Sequence, residues 1–302
     1  MDFTRITLRS LLSELKDFGY EFFTITQFLN KKEECQRREL VLRHDVDRNP
    51  VNSLYTASME YDLDIRGTYY FRRIRRGSDA KIIREIAAKG HEIGYHYEDI
   101  DLISGCIKGG RRNSEGITEK DMATMAFKSF QENMSRLRAI VPINTICMHG
   151  SPMSRYDSRV LWKYFDYGDL GIESEPYFDF SFDKMLYLTD TGRRWDGDSF
   201  SVRDKVYSTD PGFYKEWVRK PVSGSAMAMT APGKTLAARH RYTRTTEIIN
   251  AARSSELPDK VMLTVHPQRW NDNYLRWSGE LISQNIKNRI KAVIIKSNRN
   301  GI

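Results

Sequence analysis

The chain is predicted to be α/β, with a mainly parallel sheet of seven strands curled into a distorted (β/α) barrel. Two observations predict it. Short β-forming runs alternate with helical patterns along the sequence. Polar residues able to do chemistry collect at the C-terminal ends of those runs, where (β/α) barrels place their sites. No composition break marks a second domain, so residues 1–302 read as one unit. They comprise a helical extension (1–38), a barrel (39–272) and a C-terminal helix (273–302).

The elements follow in order. Residues 7–18 carry Leu8, Leu11, Leu12 and Leu15 at helical spacing. A short helix covers 25–30, and the first strand is 39–44. Pro50 starts a helix over 51–61. The β-formers of 67–71 make a second strand. Ser78 caps a helix over 79–89, which Gly90 stops. Residues 92–96 form the third strand, and 105–116 a Gly-containing loop. A long helix runs over 118–138, and Pro142 leads into a fourth strand. Strands five, six and seven are expected at 167–172, 184–189 and 261–266. An irregular segment (190–239) and a helix (242–256) separate the last two.

The chemistry begins at Asp45-Val46-Asp47. Successive strand side chains alternate, so both carboxylates share a face and need a metal, an Arg or a shared proton between or beside them. A solvated turn is the alternative. Four of the six histidines end apolar, strand-like runs, among them His96, His149 and His266.

Composition narrows the classes. Lys plus Arg exceeds Asp plus Glu by 48 − 40 = 8, a modest excess densest at Arg72-Arg73-Ile74-Arg75-Arg76 and in 287–299. It favours acidic partners. No nucleic-acid motif accompanies it, so nucleic acid is not an expected partner. Cys35, Cys106 and Cys147 are few and odd in number, which argues against a disulfide framework. The charges within residues 1–20 exclude a signal peptide, and no apolar run is long enough to cross a bilayer. A cytoplasmic protein is expected. Nothing in the sequence speaks to its oligomeric state.

The ordered motifs 45–47, 67–71, 90–96 and 264–266 resemble the polysaccharide deacetylase family, carbohydrate esterases with a nodulation-type deacetylase domain. His-Gly-Ser-Pro at 149–152 and Thr-Asp-Thr-Gly-Arg-Arg-Trp at 189–195 resemble an uncharacterised bacterial branch linked to surface-polysaccharide or O-antigen synthesis. The resemblance implies a metal-dependent hydrolase, usually using zinc, that removes N- or O-acetyl groups from a sugar or glycan precursor. Asp45 would be the general base, Asp47 and His96 metal ligands, and His266 the general acid. Asp190, with Trp195, would orient that acid.

Two positions depart from the family. Ile100 stands where a second metal histidine is usual, and His149 where an Arg normally holds the base. His149 would then complete an Asp47, His96, His149 site, with Glu98, Asp99 and Asp101 as alternative third ligands. Otherwise His149 only hydrogen-bonds Asp45. Tyr70, Tyr97, Trp195 and Trp270 are sugar-stacking candidates, though residues of this kind are more often simply packed core. Arg193 and Arg194 could meet an acidic group on a nucleotide- or lipid-linked sugar, or be solvated. Ile282, Ile286, Ile290 and Val293 give the C-terminal helix an apolar stripe, expected to pack on the barrel rather than lie on a membrane. The rival functions are a catalytically silent glycan or partner binder, and an amidohydrolase acting on another C–N bond.

Overall fold

The computed structural model describes residues 1–32, 37–108, 116–150, 157–196, 236 and 240–299. Cys35 and most of the 190–239 segment lie outside them.

Helix α1 (Arg5–Asp17) buries Leu8, Leu11, Leu12 and Leu15, and the Thr4 hydroxyl caps it by accepting from Thr7 N at 3.1 Å. Strand β1 (Tyr20–Phe23) and helix α2 (Ile25–Asn30) follow, the latter opened by a capping box between Thr24 and Gln27. The central strand is β2 (Arg38–Val46). Helix α3 (Pro50–Asp62) leads to β3 (Thr68–Phe71), and α4 (Gly77–Ala88) to β4 (Glu92–Tyr97). Helices α5 (Asp99–Lys108) and α6 (Glu119–Arg138) precede β5 (Thr145–Met148). Short helices α7 (Leu161–Tyr164) and α8 (Pro176–Asp179) come before β6 (Leu186–Thr189). Helix α9 (Thr245–Arg253), β7 (Lys260–Val265) and α10 (Tyr274–Arg299) complete the chain.

All seven strands are parallel, in the order β5-β4-β3-β2-β7-β6, and β1 pairs with the first half of β2. Among the described residues β5 and β6 do not pair, so the barrel is open between them. Among the described residues seven strands are present, as many as expected, but not the same seven. The fifth predicted strand, 167–172, is a 3₁₀ turn at Gly168–Leu170. Asp166 accepts from Gly168 N there, and Gly171 takes a left-handed φ of 66°. A side chain that bonds its own backbone offers an alternative to the ladder, which a β-forming composition does not reveal. β1, only four residues long, makes up the number.

Register explains what faces inward. Asp45, Tyr70, Gly94 and Thr145 stand side by side across β2, β3, β4 and β5. The Tyr70 ring lies across Gly94, where a Cβ would come within 2.3 Å of it, and its hydroxyl meets Thr145 Oγ1 at 2.6 Å. Tyr70 is therefore a fully buried core filler and cannot stack on a sugar. The opposite face of β2 sends Leu40 and Leu42 against α1 and α9, while His44 and His91 flank the buried Glu60 of α3. These two histidines are thereby removed from any site at the barrel mouth.

The C-terminal helix departs from expectation. Ile282 and Ile286 are 60% and 55% exposed. The helix instead meets the body through polar groups: Trp277 donates to the Asp2 carbonyl at 2.8 Å, Asn288 to the Gly192 carbonyl at 3.1 Å. Arg193 donates to the Trp277 carbonyl at 3.0 Å with its guanidinium over the Trp277 ring, so it is a strap, not a substrate contact. The side chains of Ile290 and Val293 lie outside the described set.

Candidate metal-centred active site

The strand ends bring six predicted residues into two linked groups. Asp47, just past β2, stands between two imidazoles. Its Oδ1 is 3.5 Å from His96 Nε2 and 3.4 Å from His149 Nε2. These three donors meet the geometric requirement for holding one ion. Donors about 2.0–2.1 Å from a tetrahedral zinc lie about 3.4 Å apart, so the spacing suits such an ion. Asp47 Oδ1 is buried and has no hydrogen-bond partner, while Oδ2 accepts from Gln268 Nε2 at 3.3 Å. One oxygen is thus tied back and the other left facing two nitrogens, an arrangement that a cation satisfies.

Each histidine is aimed by a different device. His96 Nδ1 lies 3.0 Å from the Cys147 carbonyl, which as acceptor sets the tautomer and leaves the Nε2 lone pair toward Asp47. Burial pushes the His96 pKa down to about 4, against the pull of Asp45, so the ring is neutral and able to ligate. His149 follows β5, whose end is pinned by Glu175. That carboxylate accepts from Met148 N at 3.0 Å and from Tyr177 N at 2.7 Å.

Burial raises the Glu175 pKa from 4.5 to about 7. A raised acid favours the folded state most below its unfolded pKa, and the advantage drains as pH rises from 4.5 to 7. Against Glu175→Gln, wild type is expected to lose about 3 kcal/mol of relative stability over that range. Urea unfolding at pH 4.5 and pH 8 checks this; a gap that does not move with pH refutes it.

Asp45 does not belong to the ion site. Arg43, two residues earlier on the same face of β2, holds it with Nε–Oδ1 at 2.8 Å and Nη2–Oδ2 at 2.7 Å. Burial would raise the Asp45 pKa, but Arg43 outweighs it, with His96 and His266 adding, so the carboxyl sits well below the usual carboxylate range. The alternative trio of Asp45, His96 and Cys147 would place a cation against that guanidinium, which disfavours it. Arg43 thus stands beside Asp45, where the resemblance implies an arginine from position 149. Its signal was the i, i+2, i+4 spacing of Arg43, Asp45 and Asp47 on one strand face. Removing one partner of a buried pair strands the other charge. Arg43→Met is expected to cost roughly 3–5 kcal/mol in urea unfolding, and Arg43→Met/Asp45→Asn to recover most of it. A single variant as stable as wild type would contradict the pairing.

The second group faces the first. His266 follows β7, and its Nε2 is 3.9 Å from Asp47 Oδ2. Asp190, after β6, takes His266 Nδ1 at 2.6 Å and His266 N at 2.9 Å. Arg269 and Trp270 also donate to Asp190, each at 2.7 Å. Burial and Arg269 oppose charging of His266, yet Asp190 prevails and the pKa is raised above that of ordinary imidazole. The 3₁₀ turn Pro267–Arg269 thus makes His266, Gln268, Arg269 and Trp270 act on one centre. Gln268 and Arg269 were missed from sequence; their signal was only the density of polar residues after the strand.

Several expectations need correction. Trp270, not Trp195, contacts Asp190. Trp195 is buried and donates to Thr245 Oγ1 at 3.0 Å. Neither indole offers a face to a sugar, and Tyr97 is likewise buried, accepting from Trp162 Nε1 at 2.8 Å. Arg194 is partly exposed and chelates Asp196 at 2.8 and 2.9 Å. Asp99 accepts from Tyr95, Ser129 and Asn133, which commits it to the core. Ile100 is fully buried. His149 turns its Nε2 to Asp47 rather than to Asp45.

No family model and no curated protein sequence matches the chain. Among solved structures it is similar to the Xyl-CE4 domain of a multidomain xylanase from the hindgut metagenome of Trinervitermes trinervoides. Identity is 9% and TM-score 0.37, over 83% of each chain. It is also similar to a CE4 family pseudoenzyme from Bacillus anthracis, with 8% identity, TM-score 0.37, and 85% of this chain and 63% of that one covered. The third is a mutant of the peptidoglycan deacetylase PdaC from Bacillus subtilis. There identity is 9% and TM-score 0.33, over 87% of this chain and 99% of that one. What the site can do follows from its own atoms.

Proposed function

We propose that the protein is a metal-dependent deacetylase of the polysaccharide deacetylase type, hydrolysing an N- or O-acetyl group on a sugar or glycan precursor. One observation carries the reading: a partnerless buried carboxylate oxygen between two imidazole nitrogens, faced by a third imidazole that is backed by a buried aspartate. A divalent cation held by Asp47, His96 and His149 would acidify water and polarise an acetyl carbonyl.

The other residues supply the proton transfers. Asp45 is ionised, and Arg43 engages one edge of its carboxylate, leaving acceptor capacity for a proton from the attacking water. As the C–N or C–O bond breaks, His266 gives its Nε2 proton to the departing amine or alcohol. Asp190 keeps that ring oriented and favours its charged form. The products are acetate and the free amine or alcohol.

Acetate release from acetylated mono- and oligosaccharides, set against cleavage of cyclic ureides and imides, tests the reading. Release is expected from the sugars alone, lost on chelation and restored by zinc. Ureide cleavage would identify a different amidohydrolase, and failure to retain metal after reconstitution would identify a silent binder.

A further inference from the structure

We propose that Glu98 and Arg72 are positioning residues that allow His149 to serve as a ligand where position 100 offers none. The inference rests on the metal-centre reading above. Ile100 is sealed in the core and offers no donor, and the donor trio with Asp47 and His96 is completed by His149, just past β5. A ligand just past a strand end is useful only if its ring is held.

His149 Nδ1 is buried without a hydrogen bond and lies 3.7 Å from Glu98 Oε2. Glu98 is itself 3% exposed, and its Oε1 is also buried without a partner. The unsatisfied ring nitrogen thus faces the carboxylate: the oxygen it faces, Oε2, also pairs with Arg72 and stands about 0.8 Å further from Nδ1 than a typical hydrogen bond. A carboxylate that accepts from the remote N–H of a ligating histidine fixes its tautomer and raises its basicity. His96 has only the neutral Cys147 carbonyl in that place.

Arg72 completes the device. It pairs with Glu98 and donates from Nη1 to the Asp47 carbonyl at 3.4 Å. One guanidinium therefore links the carboxylate behind one ligand to the backbone of another. The first member of the basic run 72–76 is accordingly mostly buried, not a solvated surface charge.

The test uses the full chain, with zinc affinity from competition with a chelating dye and the visible spectrum of the cobalt(II) form. Glu98→Ala is expected to weaken zinc binding roughly 10- to 100-fold and to alter the cobalt bands. Glu98→Gln keeps an acceptor for the ring N–H and should recover most of the affinity. Arg72→Met should fall between. Urea midpoints identify any variant that fails to fold, and the Gln variant then carries the comparison. Wild-type affinity and spectrum in a folded Glu98→Ala variant would overturn the proposal. Equal losses in Ala and Gln would make Glu98 a ligand and overturn it too. No zinc binding by wild type would sink the metal centre itself, a distinguishable result.

Discussion

Asp47→Ala is expected to abolish zinc binding and acetate release together. Of the three donors, Asp47 alone brings negative charge, and its Oδ1 is the atom both imidazoles face. Without it two neutral nitrogens remain, and His96, with its pKa held near 4, contributes no charge. The loss of affinity should exceed the roughly 10- to 100-fold that an outer partner costs. Zinc content after dialysis and a dye-competition titration measure it. The fold should survive, because removing Asp47 relieves a buried carboxylate whose Oδ1 has no hydrogen bond. Retention of one tightly held zinc in this variant would show that the ion sits elsewhere.

His266→Ala should separate binding from turnover. The ring stands 3.9 Å from Asp47 Oδ2 and outside the donor trio, so zinc stoichiometry should be unchanged. A missing general acid typically costs 10²- to 10⁴-fold, and a loss of that order in kcat/KM is expected on amide substrates. The loss should shrink on an aryl acetate, whose leaving group departs without a proton. A variant equally impaired on both substrates would indicate that His266 binds or supports structure instead of donating a proton.

Much of the fold was legible because its signals are local. The leucines of α1, Pro50 at the start of α3 and the β-forming runs of β2, β3, β4 and β7 each act within a few residues. Where local signals competed, the reading failed. The 167–172 run is β-forming in composition, yet Asp166 and Gly171 close it into a turn. β1 is too short to stand out, and draws its stability from pairing with β2.

The site was legible in part, for the same reason. Alternation along β2 places Arg43, Asp45 and Asp47 on one face, but it cannot say which charge Arg43 answers. Tyr70, Trp195 and Trp270 illustrate the other limit. An aromatic residue beside a motif can be a stacking surface or, more often, core, and only burial decides.

The sequence by itself determined the α/β class, the parallel strand pattern and the gathering of carboxylates and imidazoles at strand ends. These follow from side-chain periodicity and turn chemistry, which need no knowledge of neighbours in space. Only the tertiary structure decided that Arg43 clamps Asp45, that Asp47 lies between His96 and His149, and that Trp270 rather than Trp195 meets Asp190. Those pairings depend on register across β2, β3, β4 and β5 and on how the sheet brings β6 and β7 to the same mouth. Such contacts join residues far apart in the chain, and no local pattern encodes them.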